Sequence, residues 1–327
     1  MGKTQGRSVG WVPRMVGGSA GVVTTPVAVL LSVHNGEAYL NAQLDSILAQ
    51  TYRDWVVYWR DDGSEDASRA IMLSFQTYRG QGRCVEVSEP VGCLGVAASY
   101  GVLLEAVPPE RVIAFADQDD VWFPEKLGWG LAALGEEETP ALYCARQVLT
   151  DSALTPKGRS APVRRPPVFA AALTQNIATG HTVMLNPPAA ALLRGFAPPP
   201  GVLHDWWAYL VVSAAGGRVI ADPRCVSFYR QHGRNTVGAR SWWSRAVAAV
   251  RRGPRAFMAV FAANLARLAE RPEQLSPEAA RLIGALLRAL PRGAAARFGA
   301  LWRWRGLVRQ TRAETALFRL WFVLAGG

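Results

Sequence analysis

Four short groups of side chains stand at spacings that could do chemistry. In Asp117-Gln118-Asp119 two carboxylates lie one residue apart, a third follows at Asp120, and all come straight after the apolar run 112–116. Hard oxygen ligands of this kind suit Mg²⁺ or Mn²⁺, and such a cation would bridge a diphosphate and neutralise its charge. A solvated acidic turn would use the same residues, but three acids between an apolar strand and Val121-Trp122-Phe123-Pro124 are oddly placed for solubility alone. Asp61-Asp62-Gly63-Ser64 reads as a turn with a helix N-cap, or as a carboxylate accepting the N–H of a pyrimidine base. His204-Asp205-Trp206-Trp207 sets an aspartate beside two indoles on an apolar helix. Partial desolvation there would raise the Asp205 pKa toward that of a usable general base, and indole faces stack on sugar rings. The competing reading is an N-cap Asp with Trp in the core. Tyr229-Arg230-Gln231-His232-Gly233-Arg234-Asn235 puts His232 in a polar loop between two arginines able to clamp phosphate. His232 is then a metal or diphosphate contact, or a structural histidine.

These groups need a scaffold. Val27–Val33 is a continuous apolar run, as expected of a strand covered on both faces, and Leu40, Leu44, Ile47 and Leu48 follow at helical spacing. Strands expected at 55–59, 84–87 and 112–116 alternate with helices marked by Ile71, Phe75 and Tyr78 and by residues 94–104. That alternation means β-α-β units and a mainly parallel sheet, in which ligands bind outside the carboxyl ends of the strands. Both acidic clusters fall there, after the second and fourth strands. Over 141–237 the pattern is less regular, with strands expected at 141–149, 179–185 and 219–221 and a helix over 205–214. Beyond Ser241 the periodicity is helical, cut by Pro254, Pro272, Pro277 and Pro291. The expected organisation is a loose leader over 1–24, an α/β unit over 25–240 and a helical segment over 241–327.

Half of the 327 residues are apolar and 19% charged, which excludes wholesale disorder. The net charge of +11 is unevenly spread: residues 241–327 hold 15 Arg, no Lys and 4 acids, whereas 1–240 hold 21 basic and 21 acidic residues. Trp242-Trp243, Trp302, Trp304 and Trp321-Phe322 interleave with the arginines, the pattern of amphipathic helices on an anionic membrane surface. No nucleic-acid-binding signature accompanies the charge, so nucleic acid is not an expected partner. The four cysteines are widely spaced and contain no Cys-x-x-Cys, which argues for reduced thiols rather than zinc or disulfides. No run approaches the ~18 apolar residues of a membrane span, and the apolar segment 21–33 lacks a signal-peptide cleavage site. A cytoplasmic location is therefore expected. Gly-x-Gly-x-x-Gly is absent, which disfavours a dinucleotide-binding dehydrogenase, and a nucleotidyltransferase with it.

The stretch VAVLLSVHNGEAYLNAQLDSILAQTYRDW (27–55) resembles the opening of glycosyltransferase family 2, a large inverting family with the GT-A fold. RDDGSED (60–66) is similar to its nucleotide-binding turn, and ADQDDVWFPEKL (116–127) resembles the Asp-x-Asp region of its rhamnosyltransferase-like branch. HDWWA (204–208) and YRQHGRNTVG (229–238) match later motifs of that branch, in the family's order. The resemblance implies that Asp62, with Asp61 beside it, contacts the base, and that Ser32 lines the nucleotide pocket. Asp117 would face the donor sugar, and Asp119 would hold Mg²⁺ or Mn²⁺. His232 would complete the metal and diphosphate site with help from Arg230 and Arg234, and Asp205 would be the base. Cys93 and Ala98-Ser99 stand where relatives often carry Asn, a departure that bears on donor identity.

The implied fold is α/β GT-A, a Rossmann-like, mainly parallel sheet flanked by helices, with a C-terminal basic helical appendage. The implied activity is a metal-dependent, inverting hexosyltransferase that takes a nucleotide-sugar donor, dTDP-rhamnose being the branch's first candidate. Its acceptor would be a glycan or lipid-linked saccharide of bacterial surface polysaccharide synthesis, met at the inner face of the plasma membrane by a peripheral protein. The alternative is a non-catalytic relative that binds a glycan or scaffolds a membrane complex, but every proposed catalytic position holds a chemically competent residue.

Overall fold

The structure, a computed structural model, describes residues 26–136, 138–233 and 242–325. The leader expected over 1–24 and the proposed phosphate contact Arg234 lie outside them. Strand β1 (Val27–Val33) is buried throughout except at Ser32. Its alternate residues enter two different cores: Ala28 and Leu30 on one face, Val27, Val29, Leu31 and Val33 on the other. A strand covered on both faces has no place for the polar half of an alternating pattern, hence the unbroken apolar run.

Helix α1 (Leu40–Leu48) returns the chain to β2 (Trp55–Asp61), which pairs parallel with β1. Helix α2 (Ser68–Ser74) runs into a π turn over Phe75–Arg79 and leads to the short edge strand β3 (Cys84–Glu86). Phe75 is buried as its spacing predicts, but Tyr78 is 79% exposed. The wider turn breaks the 3.6-residue period that would have carried Tyr78 inward. Helix α3 (Val96–Ala106) then feeds β4 (Val112–Ala116), parallel to β1 on its other side and fully buried.

The second half is mixed. It comprises β5 (Val121–Trp122), α4 (Lys126–Leu134), β6 (Ala141–Thr150), β7 (Pro156–Arg159), α5 (Phe169–Ala172), β8 (Met184–Leu185), α6 (Pro187–Leu193), α7 (His204–Ala214) and β9 (Arg218–Arg230). Among the described residues the strand order is β3-β2-β1-β4-β8-β6-β9-β5, with β7 on β6. Strand β8 is antiparallel to both β4 and β6. The strand expected over 179–185 shrinks to β8 because Gly180–Thr182 form a 3-10 turn. The one expected at 219–221 lengthens to thirteen residues because β9 pairs with β6 from Arg218 to Arg230, and β5 joins it at Ser227 and Phe228.

The C-terminal helices are α8 (Trp242–Ala269, broken at Gly253), α9 (Pro277–Ala289), α10 (Ala294–Arg303) and α11 (Arg312–Ala325). They are built into the protein: Phe261, Leu265, Ile283, Leu286, Phe318 and Phe322 join the same apolar cluster as Leu30, Phe115 and Tyr209 of the sheet and α7. Trp321 and Phe322, expected on a membrane-facing surface, are buried, whereas Trp302 is exposed. No helix among the described residues is long and apolar enough to cross a membrane.

Candidate active site

The parallel strands β1, β2 and β4 end at one edge of the sheet, and the chain's acidic turns collect there. Gln118, between the two aspartates of Asp-x-Asp, fastens its turn to the end of β1: its amide donates to His34 O (2.8 Å) and accepts from His34 N–H (2.8 Å). A β-carbon at Gly36 would lie 2.4 Å from the Gln118 side chain, so this approach requires glycine. Tyr100 Oη donates to Ala116 O (2.6 Å) and to Asp117 Oδ1 (3.2 Å).

Three carboxylates now share one turn, and the protein places the buried imidazole of His181 against them. His181 Nδ1 lies 2.9 Å from Asp120 Oδ2 and 3.4 Å from Asp117 Oδ2, and its Nε2 lies 2.9 Å from Ser227 Oγ. Burial alone would lower the His181 pKa, but Asp120 and Asp117 push it up to about 10, so the ring is an imidazolium. It stacks on Tyr229 at 5.3 Å and 8°. Lys126, fully buried with its Nζ 3.3 Å from the centre of the Trp122 ring, is drawn down to about 7 by burial against the pull of Asp120 and Asp117. Asp120 also accepts from Arg230 N–H (3.1 Å). Asp119 is left with the surplus: burial, then Asp120 and Asp117, push its carboxyl up to about 8.

His232 Nε2 sits 2.7 Å from Asp119 Oδ2, with the two side chains 12% and 13% exposed. An oxygen donor that its neighbours repel, next to an imidazole and open to a cleft, fits a divalent cation. Asp117, Asp120 and His181 also offer three ligand atoms within 4.8 Å of one another. Asp120 and His181, however, are fully buried and form an ion pair, whereas Asp119 and His232, with the 33%-exposed Asp117 beside them, line the cleft.

The Asp62 turn is organised differently. The Asp62 carboxylate accepts from the Arg60 guanidinium, from Leu94 N–H (2.7 Å) and from Gly95 N–H (2.9 Å). Arg60, 1% exposed, also donates to Pro90 O (2.7 Å) and Gly92 O (2.6 Å). Burial would raise the Asp62 pKa, but these donors hold it below its ordinary value. Asp61 accepts from Ser64 N–H (3.2 Å) and shapes the turn. Ser32 Oγ donates to the buried Ser99 Oγ (2.7 Å).

Asp205 lies in the first turn of α7, 8% exposed, accepting from Trp206 N–H (2.6 Å). Burial, joined by the charge of Asp117 and opposed by the Trp206 N–H, pushes its carboxyl up to about 6. The His204 ring packs on Tyr100 (3.9 Å) and Phe115 (4.8 Å), and burial draws it down to about 4, so it is neutral. A β-carbon at Gly180 would lie 2.9 Å from His204 Nε2. Of the two indoles, Trp206 lines the cleft, while Trp207 is core and donates to Phe196 O.

Ser32, Asp62, Asp117, Asp119, Asp205 and His232 thus line one cavity of about 1620 Å³. Asp61 and Arg230 do not. Arg230, expected at phosphate, turns its guanidinium to Asp119 O (2.9 Å) and Ser152 O and over the Tyr39 ring. The reason is local: a 5%-exposed arginine must find acceptors inside, and the acidic turn's carbonyls are nearest. Arg60, Lys126 and His181 were not singled out from the sequence. The first two stood inside motifs that were, while His181 carried no local signal beyond its neighbour Gly180.

Residues 28–196, just over half of the chain, match the family model described as Glycosyl transferase family 2. The chain belongs to glycosyl transferase family 2. Among curated relatives, this family-2 glycosyl transferase is 26% identical over 224 residues to the dTDP-rhamnosyl transferase RfbG of Shigella flexneri, covering 64% of this chain and 74% of RfbG. It is 26% identical over 131 residues to the UDP-Glc:alpha-D-GlcNAc-diphosphoundecaprenol beta-1,3-glucosyltransferase WfgD of Escherichia coli, covering 40% of this chain and 49% of WfgD. The match thus spans about half of WfgD, and 37% of a Rickettsia typhi glycosyltransferase that is 29% identical. Among solved structures, S. aureus TarS 1-349 in complex with UDP-GlcNAc is similar at a TM-score of 0.57, with 15% identity over 81% of this chain and 72% of that one. At that identity the likeness is one of fold, the α/β GT-A architecture with helices added at the C-terminus.

Proposed function

We propose that this family-2 transferase moves a sugar, with inversion, from a nucleotide-sugar donor to a hydroxyl of a glycan or lipid-linked saccharide. The observation that carries the reading is the presence in one cleft of a carboxyl raised to about 6, Asp205, and the repelled carboxylate–imidazole pair Asp119–His232. Asp205 takes the proton from the acceptor hydroxyl, whose oxygen then attacks the anomeric carbon from the face opposite the leaving nucleoside diphosphate. Mg²⁺ or Mn²⁺ held by Asp119 and His232 would offset the charge growing on that diphosphate. His181 keeps the turn's remaining carboxylates in place, and Asp62 shapes the loop 93–95 that borders the donor side of the cleft. RfbG supports dTDP-rhamnose as the donor to try first, and WfgD supports UDP-glucose as the second. The acceptor belongs to bacterial surface polysaccharide synthesis, and the enzyme works as a peripheral protein at the cytoplasmic face of the membrane.

Transfer from each labelled donor, with and without Mn²⁺, tests the reading. Asp205→Asn is expected to lower the rate about 10²–10⁴-fold. Near-full transfer by that variant would remove Asp205 as base, and activity indifferent to EDTA would remove the cation.

A further inference from the structure

The outward faces of α9 and α10 serve nothing described so far. Between Glu278 and Glu314 the chain carries eight arginines and no acidic residue. Arg297 is the buried one, and its guanidinium ties α10 to α11 through Val323 O (3.0 Å) and to Leu290 O (3.1 Å). Arg281, Arg288, Arg292 and Arg303 instead rim a groove of about 640 Å³ between α9 and α10, floored by alanine and glycine from both helices. Among the described residues these four make no ion pair. Beside the groove on α10, Phe298 and Trp302 are 60% and 67% exposed and one helical turn apart. The Arg305 guanidinium lies 4.8 Å from the Trp302 ring.

Water solvates the bare aromatic area of such a surface poorly, and among the described residues the four arginines beside it have no ion-pair partner. An interface of phosphate headgroups above acyl chains answers both features at once, with phosphates at the arginines and rings at the headgroup level. A nucleic-acid duplex would meet the arginines but keeps its bases stacked inside and offers no apolar layer. We propose that the α9–α10 face is a docking surface for an anionic phospholipid bilayer, with lipid phosphates in the arginine-rimmed groove and Phe298 and Trp302 in the interfacial layer. Helix α11, packed on α10, lines the catalytic cavity with Glu314, Leu317 and Trp321. Docking through α9 and α10 therefore holds the cleft at a set orientation to the bilayer. This rests on the membrane-surface reading above, and its test uses no sugar transfer, so failure of the transferase assay and failure of docking are separate results.

The test is co-sedimentation of the full chain with vesicles of phosphatidylcholine alone or of equimolar phosphatidylcholine and phosphatidylglycerol. The wild type is expected to sediment with the mixed vesicles only. Arg288→Glu with Arg292→Glu, and separately Phe298→Ser with Trp302→Ser, should each lower partition about tenfold or more. Lys157→Glu with Arg159→Glu, an equal charge change on exposed β7, should leave it within about twofold. All four groove and ring positions are exposed, and unchanged thermal melting would show the variants folded. The proposal is overturned if the wild type binds neither vesicle or both equally, if either double variant partitions like wild type, or if a DNA duplex is bound in preference to the mixed vesicles at the same salt.

Discussion

Two acidic turns leave the same sheet edge on either side of β1, and their carboxylates meet opposite fates. Asp62 collects a guanidinium and two backbone N–H groups, and is held below its ordinary pKa. The turn at 117–120 crowds three carboxylates beside the buried imidazolium of His181, with the Lys126 amine drawn down to about 7 over the Trp122 ring, and Asp119 is pushed up to about 8. A carboxylate whose lone pairs are filled from within holds the fold together. Asp119, paired with His232 and repelled by Asp120 and Asp117, faces the cleft instead. Position at a strand end decides where an acid lies, and the charges packed around it decide which way its pKa moves.

The widest split should come from Asp119→Ala, expected to lower transfer roughly 10³-fold while the unfolding free energy from urea denaturation stays within about 1 kcal/mol of wild type. A large loss of stability would erase the contrast between the turns. Asp62→Ala should do the reverse first: removing it leaves Arg60 buried without its carboxylate, at a cost of about 3–5 kcal/mol, read by urea unfolding. Gly180→Ala presses a β-carbon onto His204 Nε2 and should cost about 1–3 kcal/mol, with transfer reduced through the displaced neighbour Asp205. The last effect is in the pH profile. With Asp119 kept ionised by saturating Mn²⁺, Asp205 must itself be ionised to accept a proton, so kcat/KM should fall about tenfold per unit as pH drops below about 6. Asp62 is silent in that window: its folded pKa lies below the ordinary 3.8, so its stabilisation is complete above that value and fades only as pH falls past it. An activity limb below pH 4 would assign the base elsewhere.

Much of the scaffold was legible residue by residue. Val27–Val33, Leu40–Leu48 and Val112–Ala116 stand where continuous or 3.6-period apolar patterns put them, because those patterns record how many faces of an element are covered. The strand expected over 179–185 was legible in place but not in extent, since the two residues of β8 owe their strand character to β4 and β6, partners far away in the chain. The burial of Arg230 was not legible for a similar reason: an arginine in a polar loop looks exposed, and only the folded chain sets its guanidinium over Tyr39 and against the carbonyls of Asp119 and Ser152.

The C-terminal quarter shows both sides of this within one segment. Its excess of arginine, its helices and the prolines that divide them were determined by the sequence alone, because charge, periodicity and missing N–H groups are properties of neighbouring residues. Which aromatics face inward was decided only by tertiary packing: Phe318, Trp321 and Phe322 close against α8, while Phe298 and Trp302 stay exposed. The same holds at the catalytic edge. The acids were visible in order along the chain, but their protonation, their partners and the arrival of His181 from the turn before β8 depend on distances that exist only after the sheet has formed.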